Sequence, residues 1–110
     1  MSRGDNLGEF EQLVLLALIR LGEGAYGLAV RRELAERTGR EVAIGAVYAT
    51  LDRLEEKGLV ASALQGSTPE RGGRSKRCFR LTASGGKKLR ETQAALARMW
   101  EGLGKAWRPA

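Results

Sequence analysis

Four basic side chains stand close together in the last third of the chain, with no acidic residue among them. They are Arg71, Arg74, Lys76 and Arg77, and the next acidic residue in the sequence is Glu91. Guanidinium and ammonium groups at this spacing can neutralise the phosphates of a nucleic acid without reading its bases. The sequence therefore predicts a phosphate-binding segment here, and a solvated hairpin is the alternative.

A second candidate for nucleic-acid recognition is the segment from residue 45 to 57. Val47, Leu51 and Leu54 recur at helical spacing and predict a helix with one buried apolar face. The other face is small at its start and polar further on, so a helix of this kind can approach base edges in a major groove. The DNA-contacting residues predicted in this helix are Gly45, Ala46, Tyr48, Ala49, Thr50 and Arg53.

Two of these residues have a second interpretation. Tyr48 flanks the apolar face, so we expect it to contribute to the core and to place its hydroxyl on a phosphate as well. Arg53 is expected to contact DNA, and the alternative is an ion pair with Glu56 or Glu33 on the protein surface.

The distribution of charge favours a polyanionic partner. The chain has 110 residues and a net charge of +6. Residues 1–70 hold eight basic and eleven acidic side chains, whereas residues 71–110 hold eleven basic and two acidic ones. A charge that served only solubility would be mixed, so this asymmetry indicates a binding function for the basic end.

The residue types that most enzymes need are scarce. The sequence has no His, a single Cys and no glycine-rich phosphate loop after a strand. General acid–base catalysis and metal binding therefore lack their usual groups, and we expect no catalytic residue, metal ligand or cofactor. Cys78 has no second cysteine as a partner, so it is expected to be a small strand residue.

The same cysteine count favours a reducing compartment. No N-terminal segment has the pattern of a signal peptide, and the apolar run of residues 13–21 is too short to span a bilayer and contains Arg20. We expect a cytoplasmic protein that does not contact a membrane.

The patterns around these residues predict a winged helix-turn-helix, a mainly α fold with a small β-hairpin wing. Helices are expected over residues 6–21, 26–37, 44–57 and 83–106, and strands over 59–64 and 77–81. Gly58 is expected to cap the third helix, Thr82 to cap the last one, and residues 66–75 to form the wing loop. Residues 1–82 then form the DNA-binding domain, and residues 83–110 form a C-terminal dimerisation helix packed on the same unit.

Two apolar surfaces predict a homodimer. The first helix is apolar nearly all round, and the last helix carries Leu89, Leu96 and Leu103 at intervals of seven residues. Packing of these stripes within one subunit is the alternative. The residues predicted at the dimer interface are Leu15, Leu16, Ile19, Leu89, Leu96, Met99, Trp100 and Leu103.

The pattern G-x-x-Y-x-x-L-x-x-L-x-x-x-G-L, which begins at Gly45, resembles the PadR family of winged-helix transcriptional regulators. Ala25-Tyr26-Gly27 is similar to the family's entry to the second helix, and Phe79-x-Leu81-Thr82-x-x-Gly85 is similar to its junction between wing and final helix. The likeness extends from about residue 7 to residue 103, and the single final helix resembles the short-tailed members.

The sequence departs from the family pattern at three positions. Ala43 stands where a Ser or Thr often opens the recognition helix, which removes a side-chain cap. Ala49 stands where the family often has Pro, and Cys78 stands where an aromatic residue is common.

The resemblance implies a homodimer that binds a palindromic operator in double-stranded DNA, usually as a repressor. It also implies an effector site between the two final helices, where Trp100 and Leu96 would contact a small aromatic or cationic molecule. Because a fold does not decide a function by itself, a winged-helix module that binds RNA or a protein partner remains the alternative.

Overall fold

The computed structural model describes residues 6–65, 76–104 and 106. The elements in chain order are α1 (Glu9–Leu21), α2 (Gly27–Thr38), α3 (Ile44–Glu56), β1 (Val60–Gln65), β2 (Lys76–Leu81) and α4 (Ala83–Trp100). β1 and β2 form an antiparallel hairpin in which Val60 lies opposite Leu81 and Gln65 lies opposite Lys76. This arrangement confirms the predicted fold class.

The core lies where the first three helices meet the base of the hairpin. Its fully buried side chains include Val14, Leu15, Val30, Leu51 and Leu54. Buried residues recur every three or four positions along each helix, as Val47, Leu51 and Leu54 do on α3, so each helix turns an apolar face inward. None of the helices in the part of the chain that the structure describes has the length and hydropathy of a bilayer-spanning segment.

The hairpin is fastened to the loop that precedes α2. The backbone N–H of Phe79 donates to the carbonyl of Ala25 at 2.8 Å, and Tyr26 forms a bridge with Cys78. Phe79 and Cys78 are adjacent in β2 and both are buried. The base of the wing is therefore held against the start of α2.

The end of α3 leads directly into β1. Gly58 has a φ of 78°, a conformation that side-chain-bearing residues seldom adopt, and its N–H donates to the Glu55 carbonyl at 2.9 Å. The N–H of Leu59 donates to the Leu54 carbonyl at 3.0 Å, which completes the helix cap. The predicted role of Gly58 is confirmed, and the recognition helix and the wing are joined by a tight turn.

The last helix is shorter than the sequence pattern predicted. It begins as expected, because the Thr82 side chain accepts the N–H of Gly85 at 3.0 Å. It ends at Trp100 instead of residue 106, because Glu101 adopts an extended backbone and two glycines follow at residues 102 and 104. Leu103 therefore lies beyond the helix, and every side chain from residue 93 to residue 100 is exposed.

Candidate nucleic-acid interface

The exposed surface of α3 begins with small residues. Gly45, Ala46 and Ala49 are exposed, while Val47 and Leu51 on the opposite face are fully buried. α2 precedes α3 after a turn of five residues and packs against it, which is the arrangement of a helix-turn-helix. The first two turns of the recognition helix thus present almost bare backbone at the surface.

Thr50 lies on the other side of this helix, which corrects the sequence prediction. Its exposed fraction is only 4%, because it stands three residues after Val47 and four before Leu54 and so shares their inward face. Its hydroxyl accepts a hydrogen bond from Nη2 of Arg53 at 3.5 Å. Thr50 therefore supports the arginine from within and does not form part of the exposed face.

Arg53 is paired with an acid that the sequence did not suggest. Its Nε lies 3.3 Å from Oε2 of Glu11, and Nζ of Lys57 lies 3.1 Å from the same oxygen. The alternative to a DNA contact, an ion pair with Glu56 or Glu33, named the wrong acids, because Glu11 is 42 residues away in sequence and only the packing of α1 on α3 brings it here. The guanidinium of Arg53 remains about half exposed.

Glu11 is a buried carboxylate with three donors. It accepts the backbone N–H of Gly8 at 2.9 Å in addition to the two basic side chains of α3. Burial alone would raise the pKa of Glu11, but the hydrogen bonds from Gly8, Lys57 and Arg53 outweigh it and lower the pKa below its ordinary value. The charged carboxylate therefore fixes the start of α1 against the recognition helix.

Tyr48 is half-buried between α2 and the wing. Its ring centroid lies 6.3 Å from that of Phe79, and its ring lies directly against the backbone of Gly27. These contacts agree with the core-packing interpretation of Tyr48, while its contact with a phosphate stays a prediction.

At the wing, the structure describes two of the four predicted phosphate ligands. Arg71 and Arg74 lie outside the described residues. Nζ of Lys76 stands 3.8 Å above the centroid of the Tyr26 ring, a cation–π contact that places its charge next to the residue that precedes α2.

Arg77 is balanced by acids, although none lies near it in the sequence. Its Nη1 is 3.0 Å from Oδ1 of Asp52, and its Nη2 is 2.6 Å from Oε1 of Glu55. Both acids belong to α3, so the hairpin brings Arg77 over the recognition helix. Counting charges along the sequence missed this pairing, because Arg77 and the two acids are brought together only when the hairpin packs on α3.

A separate apolar surface runs along α1 and α4. The exposed fractions of its side chains are 44% for Leu16, 53% for Ile19, 55% for Leu96, 75% for Met99, 55% for Trp100 and 39% for Leu103. A groove of about 330 Å³ between the two helices is lined by Leu16, Ile19, Leu89 and Leu96 among others.

One residue predicted at the dimer interface lies elsewhere. Leu15 is fully buried within its own subunit because it belongs to the inward stripe of α1, so its assignment to the interface was wrong. Leu89 is partly buried against the same core and also lines the groove between α1 and α4. Among the described residues, no cluster of three or more His, Cys, Asp or Glu side chains is placed to hold a metal ion.

Comparisons with known proteins agree with this geometry. Residues 15–91 match the model of the transcriptional regulator PadR-like family, a span from the middle of α1 to the first half of α4. A search of curated proteins finds no significant match.

Solved structures give the same result. A PadR family transcriptional regulator from Eggerthella lenta is 32% identical with a TM-score of 0.70, and the match covers 93% of this chain and 88% of that one. A complex structure of hsRosR-SG is similar at 31% identity and a TM-score of 0.69, covering 92% of this chain and 82% of that one. A PadR family regulator from Clostridium difficile shares the fold at 23% identity and a TM-score of 0.74, covering 92% and 100% of the two chains. The chain therefore belongs to the PadR-like family of transcriptional regulators, which act by binding DNA.

Proposed function

We propose that this protein is a homodimeric repressor that binds a palindromic operator through α3 and the wing. The exposed face of α3, formed by Gly45, Ala46 and Ala49, carries the proposal. A helix whose first turns lack long side chains can enter a major groove deeply enough for its neighbours to reach base edges.

The contacts divide into readout and anchoring. Arg53 is the candidate base reader, because it follows the small face by one turn and is about half exposed even when paired with Glu11. Lys76, together with Arg71 and Arg74 of the wing, supplies the phosphate contacts, and the Tyr48 hydroxyl adds another. Anchoring of this kind gives affinity without discrimination between sequences.

A second copy of the chain supplies the other half of the site. The exposed side chains of Leu16, Ile19, Leu96, Met99 and Trp100 form an apolar surface that water covers poorly. Two copies joined there would present two recognition helices, and a palindromic operator provides half-sites about one helical turn, or roughly 34 Å, apart. Leu103 lies next to this surface and extends it.

An effector site between the two final helices follows from the same assembly. Two-fold symmetry would bring the copies of Trp100 and Leu96 towards each other, and an aromatic pair can hold a flat aromatic or a cationic molecule. Such a molecule releases DNA only if it binds the DNA-competent dimer less tightly than the incompetent one.

Genomic footprinting of the purified protein, followed by titration of the recovered operator, tests the proposal. A dimer that neutralises six to ten phosphates is expected to lose about a thousandfold or more in affinity between 50 and 200 mM salt. Random duplex DNA and single-stranded RNA serve as competitors. Affinity that does not change with salt, or preference for RNA, would contradict the proposed function.

A further inference from the structure

We propose that Arg77 is a positioning residue that holds the wing at a fixed angle to the recognition helix, and that it does not contact a phosphate. The inference rests on the proposed function, because it concerns how the wing is presented to DNA. It reverses the prediction made from the cluster of basic residues in the sequence.

The first observation is the number of groups that Arg77 engages within the protein. Its two terminal nitrogens bind Asp52 and Glu55 at 3.0 Å and 2.6 Å. Its Nε donates to the hydroxyl of Ser62 at 3.2 Å, and that hydroxyl donates to Glu55 at 2.7 Å. The guanidinium also lies 4.8 Å from the centroid of the Phe79 ring. Each of the three nitrogens donates to a protein group, so three of the five N–H donors are used within the protein and the guanidinium is held in one orientation.

The second observation is that Arg77 and these partners together span three elements. Asp52 and Glu55 lie one turn apart near the end of α3, Ser62 lies on β1, and Arg77 lies on β2. β1 leaves α3 through the turn at Gly58, and backbone hydrogen bonds hold the hairpin at Phe79 and Thr82, so the outer strands depend on side-chain contacts for their angle to the helix. The guanidinium is planar and its donors have a fixed fork geometry, so binding two carboxylates of α3 fixes that angle.

Apart from the contact between Lys76 and Tyr26, the outer part of the hairpin that the structure describes is largely exposed. Ala63, Leu64 and Gln65 of β1 are exposed, and Arg77 stands opposite Leu64 in the register. The buried contacts of the hairpin are concentrated at Val60, Cys78 and Phe79. Arg77 is thus the side chain that ties β2 to the recognition helix beyond the core.

The third observation is the charge of the cluster. One arginine and two carboxylates leave a net negative charge on a surface proposed to face DNA, and this charge opposes binding. Hydrogen bonds from Ser62 and Arg77 outweigh burial and lower the pKa of Glu55 below its ordinary value, so the carboxylate is charged at neutral pH. Asp52 and Glu55 repel the phosphates of DNA. In the proposed role, the affinity gained by positioning the wing exceeds the affinity that this repulsion costs.

Operator titrations on four variants separate the two roles of Arg77. If Arg77 contacts a phosphate, Arg77→Ala lowers the salt slope by about one for each subunit, and Arg77→Lys keeps most of the affinity. Glu55→Gln would then strengthen binding, because it removes a negative charge. If Arg77 positions the wing, Arg77→Ala and Glu55→Gln each weaken binding roughly three- to tenfold with the salt slope unchanged, and the double variant is no weaker than either single one.

Two controls complete the design. Arg77→Lys keeps the charge but loses the fork, so we expect it to behave as Arg77→Ala. Glu56→Gln removes an exposed acid from the same helix and is expected to leave binding equal or slightly tighter. Thermal unfolding shows whether each variant is folded, and Glu55→Gln and Arg77→Lys decide the outcome if Arg77→Ala does not fold. Tighter binding by Glu55→Gln would overturn the positioning role of Arg77 and leave the proposed function intact. A wild type that binds no duplex DNA would overturn the proposed function itself.

Discussion

The ring of Tyr48 fills the space that a side chain at Gly27 would occupy. A Cβ built at Gly27 would stand 2.4 Å from Cζ of Tyr48 and 2.6 Å from its hydroxyl oxygen. The contact joins the first residue of α2 to the middle of α3, so the two helices of the helix-turn-helix approach each other through a glycine. Any side chain at residue 27 must displace the end of the tyrosine ring from its place against α2.

Gly27→Ala is therefore expected to lower the free energy of unfolding by about 1–3 kcal/mol, the usual cost of overpacking a well-filled site. Urea unfolding followed by circular dichroism measures the loss. The double variant with Tyr48→Ala removes the clashing ring, so the added methyl should then cost much less. Equal costs of Gly27→Ala in both backgrounds would mean that the ring is not the obstacle.

Gly45→Ala should have the opposite effect on stability and a separate effect on DNA binding. A Cβ at Gly45 meets no atom within 4 Å, and alanine favours a helix over glycine by about 1 kcal/mol, so the melting temperature should rise. The added methyl projects from the face proposed to enter the major groove, so operator affinity should fall. A more stable variant with undiminished operator affinity would show that this turn stands clear of the DNA.

The stability of the protein should depend on the charge of Glu11. The pKa of Glu11 is lowered in the folded chain, so its contribution is fully present above the unfolded pKa of about 4.3 and is lost as the pH falls through the folded value. Glu11→Gln should cost about 1–3 kcal/mol at pH 7 and progressively less below pH 4.3. Urea unfolding at several pH values measures the difference, with Glu36→Gln on the exposed face of α2 as the control. A cost that is the same at pH 7 and pH 3 would exclude a role for the charge.

Leu96→Asp should convert the dimer into monomers and abolish operator binding. The substitution places a charge in the centre of the apolar surface on α1 and α4, where a partner subunit would have to bury it. Analytical ultracentrifugation at micromolar concentration measures the mass. Leu28→Asp, at a comparably exposed leucine on α2, should leave the mass unchanged. A monomeric wild type would contradict the proposed assembly.

Arg53→Ala should lower discrimination between the operator and random DNA by about 1–3 kcal/mol, as expected for the loss of a base contact. Thr50→Val, which removes the hydroxyl that Arg53 contacts but keeps the shape, should change discrimination much less. Paired titrations with operator and random duplexes give both values. Equal weakening on both DNAs by Arg53→Ala would assign the arginine to the phosphates.

The sequence predicted the features that depend on neighbouring residues. The order of helices and strands, the cap at Gly58 and the cap at Thr82 all follow from periodicity and from residues with specific backbone preferences. The small surface of α3 was visible for the same reason, because helical spacing alone separates Gly45 and Ala49 from Leu51.

Features made by tertiary contacts were not predictable in this way. Arg53 and Arg77 each pair with an acid that is distant in the sequence, and counting charges along the chain gave them the wrong partners or none. Thr50 was assigned to the wrong face because a threonine is compatible with either side of a helix, and Leu15 was assigned to a dimer because both stripes of α1 are equally apolar. In each case the partner or the orientation of the side chain is set by how the helices and the hairpin pack together.

The exposed second half of α4 has a consequence for how the regulator responds to its own abundance. The side chains of its last two turns are exposed in the single subunit, and in the proposed dimer they would be packed only when another copy arrives, so assembly would depend on how many copies the cell holds. In the proposed dimer, the number of assembled binding units rises with the square of the subunit concentration while the subunits are scarce. The fraction of promoters that are occupied should therefore rise more steeply than the concentration of the regulator. Repression would then begin above a threshold concentration without any effector.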